Sequence, residues 1–474
     1  MVVILDLHDV CNASSKISDL KLPVYKENGL KIEFGEDFNA KTIYKGPKPL
    51  LPFSASDKFL SSICDWRRLS ADNDNVKAVY EVIFDVEGSN FSFKAGDTIG
   101  ILPQNRDEEV QFIIEHLSLT SQADISYNLT VDGSQKGAKV PPHIPIQSSL
   151  RYVLKQCVDL RSIIKKLFLL AISKYTENKN EKKVLEFLCS TQGSDMYNEY
   201  VLNKNLCILD ILKTFPSCKP PIEVLLANLP RLLPRPYSIT NSGLKQANKL
   251  KICFSVMDKG NDRKGLTTGW LEDIILNKEL RIEEKMKNLN LNEINCDFKI
   301  PIYLRKNVSG FSLPANLEAP LILIGPGTGV SPFIGFLEEI EIKKQEDPNK
   351  NFGCVCLYFG CRYPKLDFIY EEQLNKFLKE GTLAKLSTAF SRIENHDGIR
   401  YVQDALLADG KNIASCVEKG ASIFVCGNIK VMASQIKQTI LRCLTTYSDK
   451  TIEEAEEIIA KMEKDKKYHT DIWS

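Results

Sequence analysis

The chain changes its hydrophobic rhythm three times, and each change predicts a different kind of structure. From Val76 the residues are β-branched and aromatic, VKAVYEVIFDV, then a turn at Glu87–Asn90, then FSFKAGDTIGILP. Runs of this composition between short turns predict an antiparallel sheet or barrel. From about Pro141 apolar residues recur at three- and four-residue steps in SSLRYVLKQCVDL, RSIIKKLFLLAISKYT, KKVLEFLCS, NLCILDILKTF and PIEVLLANLPRLL. Each of these predicts an amphipathic helix. Strand character returns with YSIT and KLKICFSVM, so residues 142–232 read as a helical block set into a β region.

From about Leu317 the rhythm alternates. The short apolar strands LILIG, CVCLYFG, AKLSTAFS and ASIFVCG are separated by helical stretches such as SPFIGFLEEIEIKKQ, IYEEQLNKFLKEG, YVQDALLADG and KVMASQIKQTILRCL. Strand–helix alternation predicts a parallel, doubly wound sheet. A last helix is expected after Thr451, which forms a capping box with Glu454 and has one apolar face of Ile452, Ala455, Ile459 and Met462. It would deliver the terminal tail, His469–Ser474, onto the body of the protein.

Length and composition narrow the class. A chain of 474 residues exceeds one ordinary core, so two or three domains are expected. A formal net charge of +1 gives no sign of a nucleic-acid partner. Met1–Val10 lacks a basic start, and no uncharged run approaches the roughly 20 residues that span a bilayer, so a soluble, cytoplasmic protein is expected. The fourteen cysteines are scattered and read as reduced apolar residues. Cys354 and Cys356 flank one residue and are expected to leave a strand on opposite faces, and no metal site is expected.

Several segments carry candidate chemistry. The strand Leu321–Ile324 runs into Gly325-Pro-Gly327-Thr328-Gly329 before a helix. Glycines let backbone approach a pyrophosphate, free amides at the helix start favour an anion, and Thr328 adds a hydroxyl. RPYS, Arg235–Ser238, offers a cation, a flat ring and a hydroxyl, a set that also suits an ordinary surface strand. Lys264–Trp270, KGLTTGW, reads equally as a second anion cradle or as a plain helix cap by Thr268 or Gly269. Arg392 ends the AFSR strand at the edge where open α/β sheets bind ligands, with Arg400 and Tyr401 following. They suit an adenosine 2′-phosphate, or are solvated arginines. Cys426 ends another strand at that edge, and Trp473 reads as a docked anchor.

Taken in order, these segments resemble the NADPH-dependent diflavin reductases. The carrying residues are RPYS (235–238), GLTTGW (265–270), GPGTGVSPF (325–333), YFGCRYPKLDFIYEEQL (358–374), FSR (390–392), RYVQ (400–403), VCG (425–427) and DIWS (471–474). The LLPRPYS approach, FPSCKPP upstream and the DIWS ending are most similar to the branch serving methionine synthase. The resemblance implies a ferredoxin-reductase-like multidomain fold. Its parts would be a leader or linker (1–55), an FAD-binding antiparallel β-barrel (56–141 and 233–316), an inserted helical connecting domain (142–232), and an α/β doubly wound NADP-binding domain with a flavin-covering tail (317–474).

It also implies roles. Arg235, Pro236, Tyr237 and Ser238 would contact FAD, with Arg235 at the pyrophosphate, Tyr237 on the isoalloxazine and Ser238 near flavin N5. Gly265, Leu266, Thr267 and Thr268 would complete the FAD pyrophosphate site. Gly325, Gly327 and Thr328 would hold the NADPH pyrophosphate. Ser391, Arg392, Tyr401, Val402 and Gln403 would bind the 2′-phosphate and ribose. Ser238, Cys426, Asp471 and Trp473 would surround the hydride transfer from nicotinamide to flavin, Trp473 moving aside for the nicotinamide.

The chain departs from the family's pattern in places. Nothing before residue 56 supplies a Ser/Thr-rich phosphate loop after a strand, so the FMN domain is expected to be absent, and a separate FMN protein to be a partner. Asn428, Gln435 and Asn205 stand where relatives can carry acidic residues or, at Asn205, an FAD-contacting Arg. The implied acceptor is the cobalamin of methionine synthase, reached through FMN. Alternatives are a cytochrome, sulfite-reductase or flavodoxin acceptor, and a non-catalytic scaffold docking methionine synthase.

Overall fold

The computed structural model describes residues 8–17, 19–35, 51–133, 139–258, 263–288, 298–393, 398–428 and 430–473. The chain forms two compact units. One comprises Met1–Leu51, Pro103–Pro234 and Asp258–Trp270, and the other Pro52–Leu102, Arg235–Met257 and Leu271–Ser474.

The first unit is helical around a small sheet. Helices Leu150–Gln156, Lys166–Ser173, Lys179–Cys189, Ile208–Thr214 and Ile222–Asn228 come from the predicted block. Two local causes trim them. Ile163 and Ile164 are β-branched and pair outward, Ile163 bridging Cys207 and Ile164 N donating to Leu206 O, so that helix begins only at Lys166. Pro230 cannot continue the last helix, which ends at Asn228. The expectation of a leader or linker in residues 1–55 meets a different structure. Helix His8–Ser15 places Val10 in this unit's core, and strand Leu30–Phe34 pairs antiparallel with Ser126–Val131. Residues 103–133 also belong to this unit rather than to the main antiparallel sheet.

A buried ion pair ties the 258–270 segment into the unit. Arg263 Nη2 donates to Asp210 Oδ1 at 2.7 Å, and Asp210 Oδ2 also accepts from Cys207 N at 3.0 Å. Burial works against the Asp210 carboxylate, but these bonds hold its pKa below the ordinary value.

The second unit holds two sheets. Six antiparallel strands lie in the order Arg235–Ser238, Thr98–Ile101, Lys299–Arg305, Phe59–Arg68, Val79–Asp85, Lys249–Ser255. The two outermost strands also meet, because an antiparallel bridge joins Ile239 to Ile252 and Thr240 N donates to Lys251 O at 2.9 Å. Pro236 is tolerated because its strand is an end strand in the ladder order. Gly100 is required where it stands, since a Cβ there would run into the Tyr303 ring.

The other sheet is parallel, in the order Lys385–Phe390, Val355–Cys361, Leu321–Ile324, Ser422–Asn428, Tyr468–Trp473. Four of its strands are the predicted ones. The fifth is the C-terminal tail, which pairs parallel with Ser422–Asn428 instead of merely resting on the body. Thr451 Oγ1 accepts from Glu454 N at 3.2 Å and Thr451 N donates to Glu454 Oε2 at 2.9 Å, the expected capping box. Successive strands step one way from Leu321–Ile324 and then the other, so the switch point lies beside that strand's C-terminal end.

The two sheets are locked together. Glu338, 2% exposed, accepts from Ser242 N at 3.1 Å through Oε2 and pairs Oε1 with Lys245 Nζ at 2.9 Å. Gly335 lets its helix close on the backbone of Thr240 and Asn241, where a Cβ would come within 3.2–3.3 Å. Phe311 and Phe336 both meet Phe424 edge-on, at 5.3 and 5.1 Å between ring centroids.

Candidate functional site

The glycine loop sits at the switch point of the parallel sheet. Gly325 and Gly329 are fixed by packing. A Cβ on Gly325 would lie 2.6 Å from Gly329 O, and one on Gly329 would collide with the Cys426 carbonyl. Gly327 is different: its φ is +55° and a Cβ there would meet nothing within 4 Å. Two glycines therefore pull the loop tight against the neighbouring strand, and the third leaves an open face. Helix Ser331–Glu346 follows a 3-10 turn at Gly327–Val330, so its free amides and dipole favour an anion at the loop. This cradle fits a pyrophosphate.

Beside it, three predicted residues come together. Ser238 ends the edge strand of the antiparallel sheet, and its Oγ donates to Asp471 Oδ2 at 2.8 Å. Asp471 lies in the terminal strand in register with Cys426. Burial pushes the Asp471 carboxyl above its ordinary value, partly opposed by the Ser238 hydrogen bond and the charge of Arg305. Cys426 is fully buried, and burial followed by the Asp471 charge raises its thiol well above normal. It is therefore a neutral thiol and not a poised nucleophile.

Tyr237 is partly exposed on the edge strand and its ring meets Phe254 edge-on at 6.3 Å. Arg235 and Pro236 precede it, half-buried and exposed, in register with Ile101 and Gly100. Trp473 is opposite Asn428 in strand register, and the side chains of both lie outside the described residues.

The first turn of helix Leu266–Asn288 belongs to the other compact unit, and the helix starts earlier than a cap by Thr268 or Gly269 would put it. Gly269 N donates to Gly265 O at 2.7 Å, which places Leu266, Thr267 and Thr268 in the first turn, where amides lack intrahelical partners. Thr267 is 3% exposed and its Oγ1 has no hydrogen-bond partner. An orphaned buried hydroxyl beside first-turn amides fits an anionic group of a cofactor.

Ser391 and Arg392 follow the Lys385–Phe390 strand, Ser391 N donating to Cys361 O at 2.9 Å and Arg392 exposed. Tyr401 is 57% exposed and precedes helix Val402–Ala408. Gln403 Nε2 donates to Gln435 Oε1 at 2.8 Å, so an expected nucleotide contact is engaged with the Gln that stands where relatives can carry an acidic residue. Val402 is 2% exposed and its side chain packs in the core, close to Gly360. Asn205 takes a left-handed turn at φ +54°, a conformation Asn tolerates.

Arg305 and Thr240 were not singled out in the sequence. Arg305 is one of three cations in KIPIYLRKN, and nothing local signals that its charge reaches Asp471. Thr240 Oγ1 is buried without a partner just beyond RPYS, and only the placement of the strand shows it.

One expectation is corrected. Cys354 and Cys356 do not diverge. Residues two apart on a strand share a face, and their Sγ atoms lie within 4.8 Å of each other and of Cys416 Sγ. Among the described residues, no helix is long and apolar enough to cross a membrane.

The glycine cradle at a switch point, the antiparallel sheet carrying RPYS on its edge, and the terminal strand between them go with matches to two domain families. The family model of the FAD binding domain matches residues 51–270, and that of the oxidoreductase NAD-binding domain matches residues 323–438. The cofactors these domains take are FAD and a nicotinamide dinucleotide. The chain is 33% identical to methionine synthase reductase of Mus musculus over 95% of its own length and 65% of that protein. It is 34% identical to the Homo sapiens methionine synthase reductase over 85% of its length and 59% of that protein. It is 29% identical to NADPH--cytochrome P450 reductase of Homo sapiens, over 97% and 65% respectively. The chain thus spans less than two thirds of the length of these relatives.

Proposed function

We propose that the chain is an NADPH-oxidising FAD reductase module whose electrons pass through FMN to the cobalamin of methionine synthase. The observation that carries this reading is the Ser238–Asp471 hydrogen bond, 2.8 Å long, with Cys426 in register beside it and the glycine cradle packed on the same strand. It brings a hydroxyl from the antiparallel sheet and a carboxylate from the parallel one to a single point. When both cofactors are bound, they supply the redox chemistry themselves, a hydride passing from nicotinamide to flavin.

The protein's part is binding, orientation and charge. Arg235, Tyr237 and Ser238 would hold FAD, with Trp473 over the flavin, and the Gly265–Thr268 turn offers its own free amides to an anion. The meeting of the sheet's end strands at Ile239 and Ile252 supports a barrel as the frame for that strand. Gly325, Gly327 and Thr328 would hold the nicotinamide nucleotide's pyrophosphate. Ser391, Arg392, Tyr401 and Gln403 would take the 2′-phosphate. Ionised Asp471 supplies negative charge where positive charge develops, and it keeps the Ser238 hydroxyl aimed. Cys426 fills space next to both as a neutral, compact side chain.

Anaerobic stopped-flow mixing of FAD-loaded protein with NADPH tests this. Flavin absorbance should bleach rapidly with NADPH and far more slowly with NADH. Bound FAD that NADPH leaves unbleached would sink the reductase reading and leave a scaffold. Specificity is expected to rest on Arg392, because guanidinium suits a phosphate dianion. Arg392→Ala should weaken NADPH binding roughly tenfold or more, the value of one charge-assisted bond, and leave NADH binding unchanged. Equal weakening of both nucleotides would remove Arg392 from 2′-phosphate recognition.

A further inference from the structure

We propose that Cys354, Cys356 and Cys416 form a binding site for a single soft d10 cation, Cu(I) or Zn(II), held by three sulfurs. The three Sγ atoms lie within 4.8 Å of one another. Three thiolates around such an ion, each at about 2.3 Å, stand about 4 Å apart, so closing the site takes only a small movement of side chains.

Two ligands come from one segment at the start of strand Val355–Cys361 and the third from a helix. Cys356 lies within a strand, in register with Ile322 on one side and Lys385 on the other. The carbonyl of Cys354 accepts from Leu321 N at 2.9 Å. Cys416 is buried in helix Gly410–Glu418, and its carbonyl accepts from Ala421 N at 3.0 Å. A frame fixed in this way has already met most of the ordering cost of a metal site. Cys354 is exposed and gives the ion an entry path, whereas the other two are buried.

The donors are all sulfur, which excludes hard cations. Asp409, a carboxylate that influences Cys356, is already engaged, accepting from Tyr358 Oη at 2.6 Å and Asn412 Nδ2 at 3.1 Å and pairing with Lys385 at 2.7 Å. Thiolate sites without oxygen donors select Cu(I) and Zn(II) over magnesium or calcium. Asn412 Nδ2 also reaches Cys356 Sγ at 3.7 Å, a neighbour that orients the ligand sulfur. Each thiol that binds releases its proton to solvent, and no electron is transferred.

The site is separate from the nucleotide cradle. Cys356 opposes Ile322, near the start of the parallel strands, and the glycine loop follows their far ends after Ile324. Its success or failure is therefore independent of the reductase reading.

The test uses the full chain with FAD bound, reduced and anaerobic. Cu(I) is offered from the chromophoric chelator bathocuproine disulfonate, and Zn(II) is offered in a parallel titration. The wild type should withdraw one more equivalent of Cu(I) or Zn(II) than either Cys354→Ser or Cys416→Ala. Cys354→Ser, at an exposed position, should keep its FAD and its bleaching by NADPH. Uptake equal in wild type and both variants, for both metals, would overturn the site, as would no uptake by the wild type.

Discussion

Asp471→Asn is expected to slow NADPH-driven flavin bleaching by about 10²–10³-fold, the usual effect of deleting one preorganised electrostatic partner, while making the protein more resistant to heat at neutral pH. The opposite signs follow from one fact. The Asp471 carboxyl is buried and its pKa is raised above the ordinary value. A raised carboxyl in the folded state favours folding when protonated, and that contribution is lost as pH rises through its folded pKa. At neutral pH the ionised form therefore costs stability, which asparagine removes. Asparagine's carbonyl can still accept the Ser238 Oγ hydrogen bond, so the geometry survives and only the charge is lost. Stopped-flow rates and thermal unfolding on one preparation measure both effects. The wild-type rate should also fall on acidification at a higher pH than an ordinary aspartate would give. A variant with unchanged rate would remove Asp471 from the chemistry. A less stable variant with a slow rate would point to structural damage instead.

The parts legible in the sequence are those whose signal is local. Leu321–Ile324 is four buried apolar residues before a glycine run, and a strand packed on both faces needs such continuity. The Thr451–Glu454 capping box lies within one turn, so four residues suffice to read it. The strand Tyr468–Trp473, YHTDIW, is polar and lies at the sheet edge, so its register against Cys426 could not be seen before the sheet was built. Strand Leu30–Phe34 finds its partner about a hundred residues away at Ser126–Val131, and its own composition is unexceptional. The Ser238–Asp471 contact spans 233 residues, and only the motifs at both ends hinted at it. The cysteine cluster was obscured by a wrong parity on the strand, and Cys416 joins it from a helix that was not foreseen.

Gly329→Ala should abolish nucleotide-driven bleaching and destabilise the second unit, while Gly327→Ala should impair nucleotide binding with a smaller loss of stability. A methyl on Gly329 runs into the carbonyl oxygen of Cys426, with Gly427 Cα 3.0 Å away. Both are backbone atoms of the neighbouring strand, which is paired on each side with Leu321–Ile324 and Tyr468–Trp473. No rotamer change relieves the clash, so the loop must lift off the strand. Overpacking of this kind costs about 1–3 kcal/mol and sometimes more. The lifted loop no longer presents its amides at the start of helix Ser331–Glu346. The same displacement disturbs Cys426 and, through register, Asp471. Gly327 has no such neighbour, and the cost there is the left-handed φ of +55°, about 1–2 kcal/mol for a residue with a Cβ. The new methyl stands on the open face where a pyrophosphate would approach. Thermal unfolding paired with NADPH titration separates the two. Gly329→Ala should lose more melting temperature than Gly327→Ala, and both should lose nucleotide affinity. If Gly329→Ala binds NADPH as the wild type does, the loop is not the phosphate cradle, and the reading of the parallel sheet as the nucleotide-binding half must be given up.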